Sequence, residues 1–350
     1  MRSYQIIEFG APLQERTRET PEPAGPEVLV RITGCGVCHS DIHLWEGGFD
    51  LGGGMRIDVT ERGLVPPFTL GHEIVGEVAA LGPEATGVAV GDKRLVFPWI
   101  GCGVCAVCRS GAENLCPSPR FLGTRRDGGY SDHVLVPEAR YLLDYEGLAE
   151  ESACILTCSG VTAYSALNKV LPLGPEDCLL IIGAGGLGLM GVRLAAAMTE
   201  AEVVVAEIDE SKRAAALEAG ARRAIDAAAE GVSAGLVEST AGGVAAAIDF
   251  VGAPDSAQFG FDSLRRGGTL VIVGLYGGIL PLSLPLMPFR ALTMVGSYVG
   301  TLAEMSELLA LMRRRQIAPI PVATRPLDEA TSALEDLRAG RVVGRTVLRP

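Results

Sequence analysis

The rhythm of hydrophobic positions changes part-way along the chain. Over the first 150 residues they come in short runs, EVLVRI (27–32), EIVGEVAAL (73–81), KRLVF (93–97) and SDHVLV (131–136), separated by Gly, Pro and Asp. Runs of this length and spacing predict a β-rich region. The stretch 47–63, GGFDLGGGMRIDVTERG, has little periodicity and reads as a long Gly-rich loop. After about residue 152 the texture shifts. DCLLIIGAGGLGLMGVRLAAAMTEAEVVVAEIDESKRAAALEAGA (177–221) alternates strand, helix, strand, helix, and AAAIDFVG (245–252) and GGTLVIVGLYGG (267–278) add apolar strands. That alternation predicts a parallel sheet with helices on both faces. From about 287 the character is mixed again: LTMVGSYVGT reads as a strand, LAEMSELLALMRRR as an amphipathic helix and GRTVLRP as a closing strand.

Length and charge narrow this picture. A chain of 350 residues exceeds one typical core, so two domains are expected. A net charge of −12 opposes a nucleic-acid binder, which needs a basic face. The opening segment MRSYQIIEFGAPLQERTRET lacks an apolar run of signal-peptide length. The most apolar stretch, 179–198, contains Arg193 and five glycines and reads as a buried strand, turn and helix, not a membrane span. A cytoplasmic protein without membrane or nucleic-acid partners is therefore expected. In that setting nine cysteines point to metal ligands, nucleophiles or buried thiols before disulfides.

The first chemistry lies at GAGGLG (183–188). Alone, G-x-G-x-x-G is weak evidence in a chain with 45 glycines. Here a buried strand precedes it, a helix follows, and the next strand ends in Glu207, 24 positions after Gly183. This is the spacing of a dinucleotide site. Gly183 permits the tight turn, Gly185 lets backbone approach a pyrophosphate, and Gly188 lets helix pack on strand. Gly186 and Leu187 complete the turn, whose helix N-terminus faces the phosphates. Glu207 suits the ribose hydroxyls of NAD. The 2′-phosphate of NADP would meet this carboxylate, and two unit charges at 4 Å repel by about 4 kcal/mol at an effective dielectric near 20. NAD is therefore the expected cofactor.

CGVCAVCRSGAENLC places Cys102, Cys105, Cys108 and Cys116 close enough for a short lobe, about 98–118, to present four thiolates to one zinc ion. An iron–sulfur cluster or two disulfides are the other uses of such spacing. GCGVCHSDIH (34–43) crowds two cysteines, two histidines and an aspartate together. The remaining histidines are His72, in TLGHEIVGEV, and His133.

CGVCHSD, GHE, the four-cysteine lobe and the nucleotide turn, in this order, resemble the zinc-dependent alcohol dehydrogenases of the medium-chain dehydrogenase/reductase superfamily. The resemblance extends through CILTCSGVTAY (154–164) and VVGRTVL to essentially the whole chain. It implies an α/β protein with a GroES-like β-rich catalytic domain (1–152 and 287–350) and a Rossmann doubly wound NAD-binding domain (153–286). It implies two zinc ions per chain. Cys38, His72 and Cys158 would hold the catalytic zinc, with Asp41 and Glu73 behind them, and the lobe would hold the structural one. Cys35 and His133 match no functional position. Ser40 and His43 match a proton relay that passes through the nicotinamide ribose. His39 and Arg345 match positions near the pyrophosphate, and Lys212 is a further cofactor contact. The implied reaction is reversible hydride transfer between an alcohol and NAD, giving an aldehyde or ketone, in a homotetramer or homodimer. Residues 287–301 would carry inter-subunit contacts and approach the nicotinamide.

Two features depart from the pattern. The 34 positions from Cys38 to His72 exceed those of typical members, the surplus being the Gly-rich loop near the pocket mouth, and Glu207 replaces a more usual aspartate. Trp45, Trp99 and Phe68 are candidate pocket walls. The alternatives in the same superfamily are a polyol or sugar dehydrogenase and a carbonyl reductase. A zinc-free reductase and a zinc-binding adaptor account for fewer of these motifs.

Overall fold

The computed structural model describes residues 1–350. Its N-terminal part is built on strand β1 (Val28–Val37), followed at once by helix α1 (His39–Trp45). Next comes a hairpin of β2 (Gly48–Gly52) and β3 (Met55–Asp58). The Gly-rich segment expected to be a loop is thus in large part a two-stranded ribbon. Gly52, Gly53 and Gly54, all at positive φ, make its turn, and that glycine density had masked the alternation of the short strands. Strands β4 (Glu73–Leu81), β5 (Lys93–Val96) and β6 (His133–Val136) complete the first part of the sheet. β1 pairs antiparallel with both β4 and β6.

Helix α2 (Ser159–Asn168) leads into the second domain. There β7 (Cys178–Ile182), α3 (Gly186–Met198), β8 (Glu202–Glu207), α4 (Glu210–Ala219), β9 (Arg223–Asp226), β10 (Val244–Asp249) and β11 (Leu264–Ile272) follow. A further strand, β12 (Thr293–Gly296), pairs with β11. The strands run parallel in the order β9-β8-β7-β10-β11-β12, the doubly wound arrangement. β7 and β10 are buried along their whole length, as strands covered on both faces must be. The parallel sheet therefore extends past residue 287, to 296, because β12 belongs to it.

Beyond β12, helix α5 (Leu302–Arg315) starts from a capping box at Thr301 and Glu304. The chain then returns to the first sheet with β13 (Val322–Pro326) and β14 (Arg345–Arg349), and β14 pairs antiparallel with β1. A single core of 71 buried residues runs through both halves, and a smaller cluster of 12 covers the other face of the parallel sheet. No helix is long and apolar enough to cross a membrane.

Candidate active site

Sheet register assembles the first cluster. β1 and β4 pair with Gly36 opposite Glu73, so His72 lies level with the end of β1, where Cys38 begins the turn into α1. β14 pairs with Thr346 opposite Val37, which brings Arg345 alongside Cys38. Cys158 arrives from the start of α2. Its backbone has the irregular angles φ −123° and ψ −73°, and Trp99 steadies the turn by donating from Nε1 to Thr157 O at 2.9 Å. The ligand atoms of Cys38, His72 and Cys158 lie within 4.8 Å of one another, and all three residues are buried. The two sulfurs are 3.8 Å apart. Two thiolates on one tetrahedral zinc would stand about 3.8 Å apart, given Zn–S bonds near 2.3 Å. The donor set and its geometry fit zinc.

The supporting residues are buried with equal care. Asp41 caps α1 by accepting from Cys38 N at 2.9 Å, and Tyr130 donates to the same carboxylate oxygen at 3.1 Å. Its other oxygen approaches His72 Nδ1 at 3.1 Å, off-line for a hydrogen bond, which leaves Nε2 to the cluster. Burial disfavours the imidazolium of His72. The charges of Asp41 and Cys38 outweigh that effect and raise its pKa well above the ordinary value. The two thiols shift each other in opposite directions. A hydrogen bond from Cys158 lowers the pKa of Cys38, and the same bond, with burial, raises that of Cys158.

Glu73 is fully buried, and neither carboxylate oxygen has a hydrogen-bond partner. Burial pushes it up to about 7 against the opposing charge of Arg345, whose Nη2 lies 3.4 Å away. Gly36 is indispensable here, because a Cβ at that position would stand 2.0 Å from Glu73 Oε2. Arg345 also donates to Val37 O at 3.1 Å and lies over Gly186 of the nucleotide turn. It therefore links the metal cluster to that turn.

The nucleotide turn has the geometry its glycines imply. Gly183 sits at φ +89°, nothing crowds Gly185, and a Cβ on Gly188 would meet Gly183 O at 1.9 Å. Glu207 ends β8 and accepts from Ala184 N at 2.8 Å and Asp209 N at 3.0 Å. Its carboxylate thereby ties the turn to the neighbouring strand at the carboxyl ends of the sheet. The open face at Gly185 and the carboxylate beside it fit a dinucleotide. Lys212, the N3 residue of α4, donates its backbone N–H to the Asp209 cap.

Between the metal cluster and the nucleotide turn lies a cleft of about 720 Å³, lined by Cys38, His39, Ser40, His43, Cys158, the turn and Glu207. Ser40 Oγ is 3.3 Å from Cys38 Sγ and 3.4 Å from His72 Nε2. His39 and His43 follow one helical turn apart with ring centroids 5.4 Å apart, and His43 packs on Phe49 at 4.9 Å. No direct hydrogen bond joins Ser40 to His43. Trp99 forms the far wall, its ring 5.3 Å from that of His72.

Of the other candidate walls, Trp45 is core under Arg338 and donates to Ala11 O, and Phe68 is buried in a strand beside Ile6. Neither lines the cleft, since α1 and the strand turn them inward. Phe49, Phe121, Tyr298 and two arginines line it instead, and the sequence reading missed them. They come from strand β2, the segments around residues 62 and 121–125, and the stretch after β12, which share no local pattern. Thr162 and Ser297 likewise bring buried hydroxyls without partners to the cleft. Cys35 packs beneath Gly71, and Cys154 donates to Glu73 O at 3.0 Å, so neither joins the metal cluster. His133 pairs with Asp132 at 2.9 Å, away from the cleft.

The lobe brings the sulfurs of Cys102, Cys105, Cys108 and Cys116 within 4.8 Å of one another. The closest pairs are 3.4 to 3.9 Å apart, far beyond a disulfide bond of about 2.05 Å, and all nine cysteines are free. The distances suit a single tetrahedral ion; an iron–sulfur core would spread the sulfurs farther. Backbone N–H groups of Val104 and Cys105 pull Cys102 down to about 6, while burial pushes Cys108 up to about 12. Burial also pushes Glu113 up. Tyr141, the Gly101 amide and Arg140 nevertheless hold its carboxyl below the usual range, where it braces the base of the lobe.

Comparison with known proteins agrees with this geometry. The family pattern "Alcohol dehydrogenase GroES-like domain" matches residues 24–145, and "Zinc-binding dehydrogenase" matches 186–314. An NAD-dependent alcohol dehydrogenase of Sulfurisphaera tokodaii is 38% identical over the full length of both chains. The crystal structure of the alcohol dehydrogenase from Aeropyrum pernix superposes with a TM-score of 0.90 at 32% identity, covering all of both chains. The D-arabinose dehydrogenase from Sulfolobus solfataricus superposes at 0.84 with 26% identity, also over all of both chains. The chain belongs to the zinc-dependent alcohol dehydrogenases of the medium-chain dehydrogenase/reductase superfamily.

Proposed function

We propose that Cys38, His72 and Cys158 hold a catalytic zinc, that the four-cysteine lobe holds a second zinc, and that the Gly183–Gly188 turn with Glu207 holds NAD. The activity is that of the family, reversible hydride transfer between an alcohol and NAD. Convergence of the three ligands at the floor of a cleft walled by the nucleotide turn carries this reading. Zinc supplies Lewis acidity, which makes a hydroxyl proton easier to remove. NAD supplies the hydride acceptor.

The chain's own residues do the rest. Asp41 holds the His72 ring so that Nε2 faces the sulfurs. Ser40 faces the same point and is placed to accept the hydroxyl proton. His43, farther along α1, is placed to pass that proton to solvent. Burial, then the neighbouring His39 ring, lowers the His43 pKa, which favours the neutral imidazole that can accept a proton. Trp99 and Phe121 shield the reacting groups from water. Arg345, His39 and Lys212 surround the pyrophosphate side, and the unpartnered hydroxyls of Thr162 and Ser297 are available to the cofactor. Large exposed apolar side chains at Tyr276, Leu284 and Phe289 support a homodimer or homotetramer. Nine unpaired cysteines support a cytoplasmic location.

A panel of primary, secondary, aromatic and polyol alcohols, run with NAD and with NADP and followed as reduced cofactor, tests the reading. Turnover of alcohols with higher kcat/KM for NAD is expected. Higher efficiency with NADP would overturn the role of Glu207, and absence of turnover across the panel would overturn the activity.

A further inference from the structure

The far end of the cleft carries charge that neither the metal cluster nor the nucleotide turn explains. Arg62 and Arg125 both line it, together with Thr124 and Tyr298. Three arginines line the cleft in all, and Arg345 is the one with a partner, Glu73. No carboxylate lies within 4.0 Å of either remaining guanidinium, and neither side chain makes a hydrogen bond within the protein. Every one of the 18 ion pairs belongs to other residues. The carboxylates that line the cleft are engaged elsewhere. Glu207 accepts from the Ala184 and Asp209 amides, and Asp50 accepts from Gly52 N at 2.7 Å.

The two guanidiniums line the same cleft, Arg62 exposed and Arg125 half-buried. Partial burial, and behind it the charge of Arg62, lowers the pKa of Arg125. The pair therefore brings two unneutralised positive charges to the lining of the substrate cleft.

The walls connect this pair to the metal cluster. The Trp99 ring is 5.3 Å from His72, 5.4 Å from Phe121 and 6.3 Å from Tyr298. Arg125 follows Phe121 by one turn, its backbone N–H bonded to Phe121 O at 2.9 Å. Tyr298 lines the cleft together with both arginines. From the buried metal-ligand cluster outward, the cleft presents an aromatic wall and then two free guanidiniums.

We infer that the substrate is an alcohol or carbonyl compound with an apolar spacer and an anionic terminus, carboxylate or phosphate, and that Arg62 and Arg125 bind that terminus. This inference rests on the proposed activity of the same cleft. Guanidiniums are the side chains best shaped for carboxylate and phosphate oxygens, and their charge is independent of pH in the working range. Binding an anion also offsets that charge. Arg62 and Arg125 are thus specificity-determining residues for this end of the substrate.

The test compares 6-hydroxyhexanoate and the monophosphate of 1,6-hexanediol with 1-hexanol, using the zinc-loaded enzyme and NAD. A preference in kcat/KM for an anionic substrate of about ten- to hundred-fold is expected, the scale of one or two charge-assisted hydrogen bonds. The larger of the two ratios identifies carboxylate or phosphate. Arg125→Gln and Arg62→Gln should each cut the anion-to-neutral ratio by about tenfold, mainly through KM. Raising salt from about 0.05 to 0.5 M should shrink the wild-type ratio. A wild-type ratio at or below one, or a ratio unchanged in both variants, overturns the inference.

Calorimetric titration of adipate against adipamide into the zinc- and NADH-loaded protein reads the same pair without turnover. If adipate binds in an Arg125-dependent way while no alcohol reacts, the anion site stands and the activity fails. If hexanol reacts and neither anion is preferred, the activity stands and the anion site fails.

Discussion

Single side chains carry the chemistry, and two can be read independently. Cys38 contributes one of the three clustered ligand atoms. Cys38→Ala should lower turnover by about 10³-fold or more, because the metal's charge stabilisation is worth several kcal/mol and each 1.36 kcal/mol is tenfold. NAD binding, measured by titration, should stay within a few-fold, since the nucleotide turn is built from other elements. His43 has a pKa lowered by burial and by His39, beneath the ordinary value of about 6.5. It accepts a proton when neutral, so alcohol oxidation is complete above that pKa and declines as pH falls through it. Glu46 and Cys38 oppose the shift without reversing it. His43→Ala should remove this acid limb from the kcat profile and slow the neutral-pH rate by about tenfold, with partial rescue by added imidazole. An unchanged profile would take His43 out of the proton path.

At the scale of elements, the β2–β3 hairpin and the structural lobe matter most. The hairpin leans on the nucleotide domain so closely that a Cβ on Gly277, at φ +110°, would stand 2.5 Å from Asp50 O. Gly277→Ala should push the two walls apart and raise KM for the alcohol several-fold, the added strain being of order 1–3 kcal/mol. Steady-state kinetics with NAD saturating reads this directly, and an unaltered KM would show that the hairpin does not shape the cleft. In the lobe, Glu113 is 5% exposed and accepts from Gly101 N, Tyr141 and Arg140. Glu113→Ala should destabilise the protein by about 2–3 kcal/mol by leaving buried donors unmatched. A thermal scan and the retained zinc content report the loss together.

At the scale of the molecule, two sites should take two zinc ions per chain, and elemental analysis of freshly purified protein should find that ratio. One zinc or none would contradict the two-site arrangement. The two sites also show how unevenly the chain can be read in advance. The four cysteines of the lobe fall within fifteen residues, so a short turn brings them together wherever the lobe docks. The nucleotide turn is likewise local, and strand, glycines, helix and Glu207 follow in one unit.

The catalytic cluster joins positions 38, 72 and 158, and no local pattern selects Cys158 over Cys154 or Cys38 over Cys35. The resemblance to known dehydrogenases pointed to them, and the pairing of β1 with β4 and β14 places His72 and Arg345 beside Cys38. A slip of one residue in that register would turn these side chains to the other face. Periodicity and short-range spacing therefore determined many of the strands, the helices after the nucleotide turn and before β13, and the grouping of the lobe and turn residues, but not helices α1 and α2. The extent of the parallel sheet to β12, the folding of the Gly-rich segment into a hairpin, and the placing of Arg62 and Arg125 in the lining of one cleft were decided by tertiary structure. Each depends on contacts between segments far apart in the chain, whose formation is governed by packing and register and leaves no local trace.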